Sequence, residues 1–457
     1  MNKTIDYGAI LLEAAGAFAA GEFESYKSKT LYASQILAKI SQAGQLDTAL
    51  ALEPLWYNKL VKLRESEENY FDAFSGHSNA FWLAGKELSE KHKYTQTERD
   101  PNRCAFILHT GVLLGHTEVM LRVLRNWVNE SSWIIPSVIS LNGMHSALAD
   151  ELNKIGVPWF CPQEELGPTQ RVKWTRDVCT QNLIESAVWL STPCWVSYVF
   201  GYGVAPKQIL WSLKFHPVHL GDDVLHIGMT KPSSEPVQIN GCPWVPFSPP
   251  LATAVKKIPR SRLDSERAKF PNHVLVGTLA REEKYNSDQY LSAIVRILER
   301  APNTHFLYTG KKDSKQLKNA LADAGLSGRA TFIGWVDTNL YAQVLDVFLE
   351  TFPFGCGVTG AQAVEHGANV VSLWGGETLP TYYFKEVSEA EEFAPTWRVT
   401  QSVEDYVGAA LSAIASVETR SSVDDNTASA GKLSVLDERK PEQLRRLFRL
   451  PDQPKPA

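Results

Sequence analysis

Cysteine is scarce in this 457-residue chain: Cys104, Cys161, Cys179, Cys194, Cys242 and Cys356 are scattered, with no Cys-x-x-Cys pair. That spacing argues against a disulfide framework and against a zinc knuckle, and buried single thiols in a reducing cytoplasm are the expectation. Long apolar runs are missing too. The nearest, Ser186 to Val204, is broken by Pro193 and by polar residues, short of the roughly 18 to 20 apolar residues that a membrane span needs. No basic surplus exists, since 46 Lys and Arg stand against 51 Asp and Glu for a formal net charge of -5, so nucleic acid is not an expected partner. The apolar opening carries Glu13 and small residues at helical spacing, which reads as part of a folded helix rather than a signal peptide.

A hydrophobic content of 44% is enough to bury more than one core. From Ile5 to about Tyr94 apolar residues recur at three and four, as in Leu11, Ala14, Ala15 and Phe18, without strand alternation or a fixed repeat. Residues 1–98 are therefore expected as an N-terminal helical domain. The polar segment Lys93 to Arg103 marks a boundary near residue 98, and an α/β lobe over 99–250 follows it. Its expected elements are strand Cys104–Leu108, helix His116–Asn126, strand Ser137–Leu141, helix Met144–Ile155, a helix near Arg176–Val188, strand Cys194–Phe200 and strand Gln208–Leu213.

Five prolines between Val237 and Arg262 suggest a connection, and a second α/β lobe is expected over 251–417. It should run strand His273–Thr278, helix Ser287–Ala301, strand His305–Tyr308, helix Ser314–Ala324, strand Ala330–Ile333, helix Leu340–Leu345 and strand Val347–Leu349. Helix Thr359–His366, strand Asn369–Leu373 and helix Val403–Ser416 complete it. Residues 418–457 read as a mobile loop up to Gly431 and a last amphipathic helix near Pro441–Phe448. Strands separated by helices imply parallel, doubly wound sheets, whose ligands bind at the carboxyl ends. Two such lobes in tandem predict a site in a cleft between them.

The most informative stretch is Asp346 to Leu379, DVFLETFPFGCGVTGAQAVEHGANVVSLWGGETL. A strand runs into a turn with Gly355, Gly357 and Gly360, a helix starts near Thr359, and an apolar strand ends in a glycine pair. Glycines let backbone amides approach a ligand, and the positive end of the next helix stabilises phosphate. A glycine turn alone is common to α/β proteins, so the surrounding motifs matter.

This stretch resembles the second lobe of the O-GlcNAc transferase family, in which a strand ending in Asp-Thr-Pro leads to a glycine-threonine turn, a helix, a Gly-x-Pro-Val-Val-like strand and Gly-Glu-Thr-Leu. The Phe-Pro-Phe-Gly wording is closer to the related bacterial adhesin N-glucosyltransferases. GVAPKQ at Gly203–Gln208, followed by LKFHPVHLGDD at Leu213–Asp223, is similar to the family's Ala-Pro-x-Gln strand and the loop after it. Leu279–Ala301, with Pro302 and Asn303 behind it, resembles a helix with a Lys near its start and a Pro-Asn turn at its end. Gly115 and His116 resemble a Gly-x-His element on the acceptor side. The likeness spans about residues 103 to 390 and implies the GT-B fold: two Rossmann-like lobes facing a cleft, here behind an all-α domain.

The resemblance further implies a hexosyltransferase that moves glucose, N-acetylglucosamine or a similar hexose from a UDP-sugar to a protein acceptor, inverting and metal-independent. It places Lys284, Thr359 and Gly360 at the diphosphate, where an ammonium group and helix amides can stabilise a leaving diphosphate without a metal or other cofactor. Gly357, Gln208, Gln362 and Glu377 join them on the donor side. Gln362 stands where the family has an acidic residue that grips the ribose, and an amide is the weaker acceptor; Glu365 or Glu377 is the alternative. Val358 and Gly357 replace two residues of the family's His-Thr-Thr turn. His116 is the expected acceptor base, with a helix-capping role as the alternative. His216 and His219 are expected to line the sugar pocket.

The Asp222–Asp223 and Asp424–Asp425 pairs lack further spaced carboxylates and read as solvated surface, so no metal is expected. Thirteen tryptophans keep a glycan acceptor open. A small-molecule or lipid-linked acceptor would call for a membrane-docking helix on the first lobe, which the sequence does not present. A non-catalytic scaffold with the same fold is the rival from another class; the lost ribose carboxylate is its support.

Overall fold

A computed structural model describes residues 6–20, 22–61, 73–92, 98–130, 134–162, 165–212, 218, 220–221, 223–228, 237–239, 242–246, 258–285, 287–352, 355–356, 358–373, 396–419, 444–446 and 448. The chain divides into two compact units, Met1–Pro249 with Pro441–Ala457, and Pro250–Lys440.

The first unit opens with α1 (Tyr7–Ala19), α2 (Phe23–Gln42), α3 (Leu46–Lys59) and α4 (Ser78–Lys91). Asp6 starts α1 by accepting the Ala9 N–H at 3.0 Å, which satisfies a donor the first turn would leave orphaned. Beyond residue 98 come β1 (Asp100–Leu108), α5 (Gly115–Glu130), β2 (Ile135–Ser140), α6 (Ser146–Lys154), β3 (Trp159–Phe160), α7 (Pro168–Gln181), β4 (Ile184–Trp189), α8 (Val196–Tyr202), β5 (Lys207–Ser212), β6 (Leu225–Gly228), β7 (Val237–Ile239) and β8 (Cys242–Pro246). The sheet order is β3-β2-β1-β4-β5-β6-β8-β7, parallel except for the β7–β8 pair. The chain thus starts in the middle, winds outward one way, and reverses between β1 and β4.

The four helices share one core with this sheet: Leu37, Leu50, Trp56 and Phe81 cluster with Trp189, Trp195, Tyr198 and Leu210. Two glycines make this intimacy possible. A Cβ on Gly85 of α4 would strike the Tyr198 carbonyl of α8, and one on Gly201 would strike that of Trp82, so the two backbones approach as only glycine permits. Asp47 of α3 also accepts the Thr169 N–H of α7 at 2.8 Å. Near the carboxyl terminus Phe448 is buried against Phe106, Trp127 and Trp211 of the same unit.

Three expectations are corrected here. Residues 176–188 are not one helix: α7 ends at Gln181, Leu183 takes a left-handed φ of 54°, and Ile184–Trp189 form β4 between β1 and β5. A short apolar run buried on both faces carries no periodicity that separates strand from helix. Residues 194–200 are not a strand, since Val196–Tyr202 form α8, buried nearly throughout against α4; tertiary packing overrides the β-propensity of Val, Tyr and Phe. The proline-rich stretch after Val237 is not wholly irregular, because β7 and β8 lie in it, β7 at the sheet edge and β8, with Pro243 and Pro246, between β6 and β7.

The second unit contains α9 (Arg260–Arg267), β9 (Val274–Thr278), α10 (Asp288–Arg300), β10 (Thr304–Tyr308), α11 (Lys315–Asp323), β11 (Ala330–Phe332), α12 (Thr338–Val344), β12 (Val347–Leu349), α13 (Val358–Glu365), β13 (Asn369–Leu373), β14 (Trp397–Thr400) and α14 (Val403–Thr419). Ser287, Ser314 and Asp337 cap α10, α11 and α12. Tyr290, Leu291, Ile294, Ile297 and Leu298 form the buried stripe of α10. Strand order is β11-β10-β9-β12-β13-β14, all parallel, which repeats the first sheet's winding and puts its reversal between β9 and β12. β9, β12 and β13 are buried along their whole length, as expected of a parallel sheet covered on both faces.

Candidate functional site

At the reversal of the second sheet, β9 and β12 release their chains in opposite directions, which leaves room at their carboxyl ends. After β9 the chain makes a short turn of 3-10 helix, Glu282–Tyr285. Tyr285 is fully buried and donates its hydroxyl to Thr309 O at 2.9 Å; burial pushes the phenol far above its ordinary range, so it remains a donor. This anchor directs Lys284, whose Nζ donates to Gly355 O at 2.5 Å. Thr359 closes the same junction, its hydroxyl donating to Leu279 O at 2.9 Å. Lys284, Gly355 and Thr359 are therefore brought together from segments more than seventy residues apart.

Beneath them lies a carboxylate that sequence reasoning missed. Glu350, the residue after β12, is 1% exposed; its Oε1 accepts the Cys356 N–H at 2.6 Å and its Oε2 the Ser372 hydroxyl at 2.5 Å. Trp397 Nε1 donates to that hydroxyl at 2.9 Å, and Tyr406 donates to Glu350 O at 3.0 Å. A buried carboxylate is tolerated when it is hydrogen-bonded this fully, and the effect is to pin the glycine turn from below. Its only trace in the sequence is an acidic residue closing the apolar run DVFLE.

Gly360 sits in the first turn of α13, where backbone N–H groups and the helix dipole favour an anion. A Cβ there would find its nearest atoms at 3.7 to 3.8 Å, ordinary contact distance, so packing does not demand glycine. Gln362, two residues on, is 7% exposed, and its Oε1 accepts no hydrogen bond from the described residues. Gly357 and Glu377 lie outside the described residues, as do His216, His219, Asp222, Asp424 and Asp425.

At the first sheet's reversal, between the carboxyl ends of β1 and β4, the chemistry differs. His109 follows β1; its ring meets the Trp195 ring edge-on at 4.8 Å between centroids. Asn142, just after β2, donates from Nδ2 to His109 O at 2.9 Å and lies 3.2 Å from the ring Nε2. With that nitrogen facing a donor, Nδ1 carries the proton toward Thr110 Oγ1 at 3.2 Å. Burial, reinforced by the nearby Arg171 guanidinium, pushes His109 down to about 4, so the ring is neutral at physiological pH. His116 is the second residue of α5 and partly buried. The helix-start hydrogen bonds are made next door, where Thr117 Oγ1 accepts the Leu114 N–H at 2.7 Å and donates to Val112 O at 2.8 Å.

Gln208 is a correction. It is the second residue of β5, at the amino end of the strand, and its amide donates to Phe200 O at 2.9 Å. Ligands of such sheets sit at the opposite end, about 13 Å further along at the rise of a strand. Gln208 is therefore not a donor-site residue of this sheet.

No known family description and no curated protein matches the chain. Solved structures do. An O-GlcNAc transferase mutant from Thermobaculum terrenum is 16% identical over 98% of this chain and 94% of its own, with a TM-score of 0.54. Anabaena HepE, in a complex with UDP and glucose, is 13% identical over 76% of this chain and 99% of its own, with a TM-score of 0.53. At these identities the likeness concerns the fold. The chain has the GT-B fold of glycosyltransferases, and the two reversals with the order 3-2-1-4-5-6 are its signature here.

Proposed function

We propose that this protein is a nucleotide-sugar-dependent glycosyltransferase that binds the diphosphate of a UDP-sugar at the second sheet's reversal and passes a hexose to a protein acceptor. The observation that carries the proposal is the meeting of Lys284, Gly355 and Thr359 at the carboxyl ends of β9 and β12. UDP and glucose in HepE, and the O-GlcNAc transferase description of the Thermobaculum protein, support the substrate class.

In the proposed reaction the acceptor nucleophile attacks the anomeric carbon, its proton passes to His116, and the bond from that carbon to the diphosphate oxygen breaks with its electron pair staying on UDP. The negative charge that grows on the diphosphate meets the Lys284 ammonium and the first N–H groups of α13, which are fixed in place before the reaction and need no metal. Inversion at the anomeric carbon follows from a single displacement. Gln362, whose amide oxygen accepts no hydrogen bond from the described residues, is proposed to contact the ribose. A cytoplasmic location belongs to the same proposal.

The test is a thermal-shift screen with UDP, GDP and their sugars, followed by UDP release from the sugar that responds. Stabilisation by UDP compounds and Lys284-dependent UDP release are expected. A protein that responds to UDP without releasing it from any sugar is a binding scaffold, and one that responds to no nucleotide is neither.

A further inference from the structure

The four N-terminal helices reach the first sheet's reversal through a buried polar chain. Ser34 Oγ of α2 lies 2.7 Å from His77 Nδ1, which precedes α4, and His77 Nε2 lies 2.9 Å from Glu53 Oε1 of α3. These are the spacings of a hydrolytic serine-histidine-acid set. With side chains 0%, 1% and 3% exposed, however, Ser34, His77 and Glu53 are sealed from any substrate, so hydrolysis is excluded and the question becomes what the set holds.

It holds Trp195. The second oxygen of Glu53 accepts the Trp195 N–H at 2.8 Å, and the Trp195 indole donates to Leu50 O of α3 at 2.7 Å. Trp195 has a φ of 68°, a left-handed backbone that a bulky side chain adopts only when its surroundings enforce it. Two hydrogen bonds from one helix supply that enforcement. The other edge of the contact is His109, ring against ring, and His109 is tied to Asn142. From there the loop leading to α5 is fastened to the segment after β2, with Gly111 N donating to Gly143 O at 3.0 Å and His145 N to Gly111 O at 2.8 Å. That loop ends at Leu114, and His116 follows in the first turn of α5.

We infer that Glu53 and Trp195 are positioning residues of the transfer reaction: they set the place of the loop that leads to His116, acting through His109. The inference rests on the reading of His116 as the acceptor-side group, and it makes the helical layer part of the reaction site rather than a separate docking module. A carboxylate suits the task because one group accepts from the His77 ring and the Trp195 amide together, which couples α4, α3 and the turn after β4.

Histidine C2-proton exchange followed by mass spectrometry reads the His109 and His116 rings one by one and requires no substrate. In Glu53→Gln, which keeps shape but loses the second full acceptor, faster exchange at both rings is expected. Transfer from the UDP-sugar should show kcat about tenfold lower with the donor KM unchanged, the signature of a misplaced group rather than a lost binding contact. Trp195→Gly covers the case in which Glu53→Gln does not fold. Glycine accepts the left-handed backbone, so the turn survives while the ring contact is removed, and the same changes at His109 and His116 are expected. Wild-type exchange rates at both rings in a folded variant overturn the inference. A wild-type protein that binds no UDP overturns the transferase reading instead, and the exchange measurement separates the two failures.

Discussion

The two sheets reverse at the same place in the same strand order, yet the two reversals are built from different chemistry. In the second unit the carboxyl ends of β9 and β12 carry an ammonium group, small residues and the start of helix α13, all resting on buried Glu350. In the first unit the ends of β1 and β4 carry a neutral histidine, an asparagine and a strained tryptophan, braced by Glu53 from outside the sheet. The winding decides where a ligand can sit, and the side chains decide which ligand. A cationic, amide-lined end suits a diphosphate. An aromatic end with an uncharged histidine suits hydroxyl groups.

Four changes sharpen or break this contrast. The largest effect is expected for Lys284→Ala, which removes a side-chain cation from the proposed diphosphate site; turnover should fall by at least about 100-fold, as for other losses of fixed charge stabilisation, with the fold intact by circular dichroism. Glu350→Ala should act on stability, since it orphans the Cys356 N–H and the Ser372 hydroxyl inside the core; a loss of about 3 kcal/mol in urea unfolding is expected.

His109→Asn tests the first unit through pH. The folded ring titrates near 4 and an unfolded one at 6.5. Between these values the unfolded chain takes up a proton that the folded one does not, so the wild type should lose stability as pH falls from 6.5 to 4, and should keep this contribution in full above 6.5. Discounted for partial exposure, the loss is about 2 kcal/mol, and the difference between wild type and His109→Asn should shrink by that amount between pH 6.5 and 4 and stop changing below it. The smallest change is Gly360→Ala: its methyl group would meet Phe348, Glu350 and Trp397 at ordinary contact distance and alanine suits a helix, so unfolding should stay within about 1 kcal/mol of wild type and UDP affinity should be unchanged. A marked fall in UDP affinity in that variant would show that the methyl group disturbs the amides of α13.

Legibility in the sequence differed between the units for physical reasons. Nearly every element of the second could be read because its helices are amphipathic, as α10 is, and its strands are apolar runs bounded by turn residues. Lys284 and Thr359 could be found because each lies in a local motif with a recognisable order. β14, whose Trp-Arg-Val-Thr sequence holds no apolar run, and α9, which has no buried face, were missed. In the first unit α8 is buried almost throughout, so it has no polar face to announce a helix. The bond between Glu53 and Trp195 spans 142 positions, and nothing local in either segment points to the other. Gln208 shows a different limit: its motif was legible, but which end of a strand a motif occupies is settled only when the sheet is assembled.

The account depends most on the diphosphate site at the second reversal, and calorimetric titration with UDP tests it directly. Wild type and His109→Asn should bind UDP with the same affinity, and Lys284→Ala should bind at least about 30-fold more weakly, as expected when a charged hydrogen-bond donor to phosphate is removed. UDP binding to Lys284→Ala at wild-type strength would contradict the account.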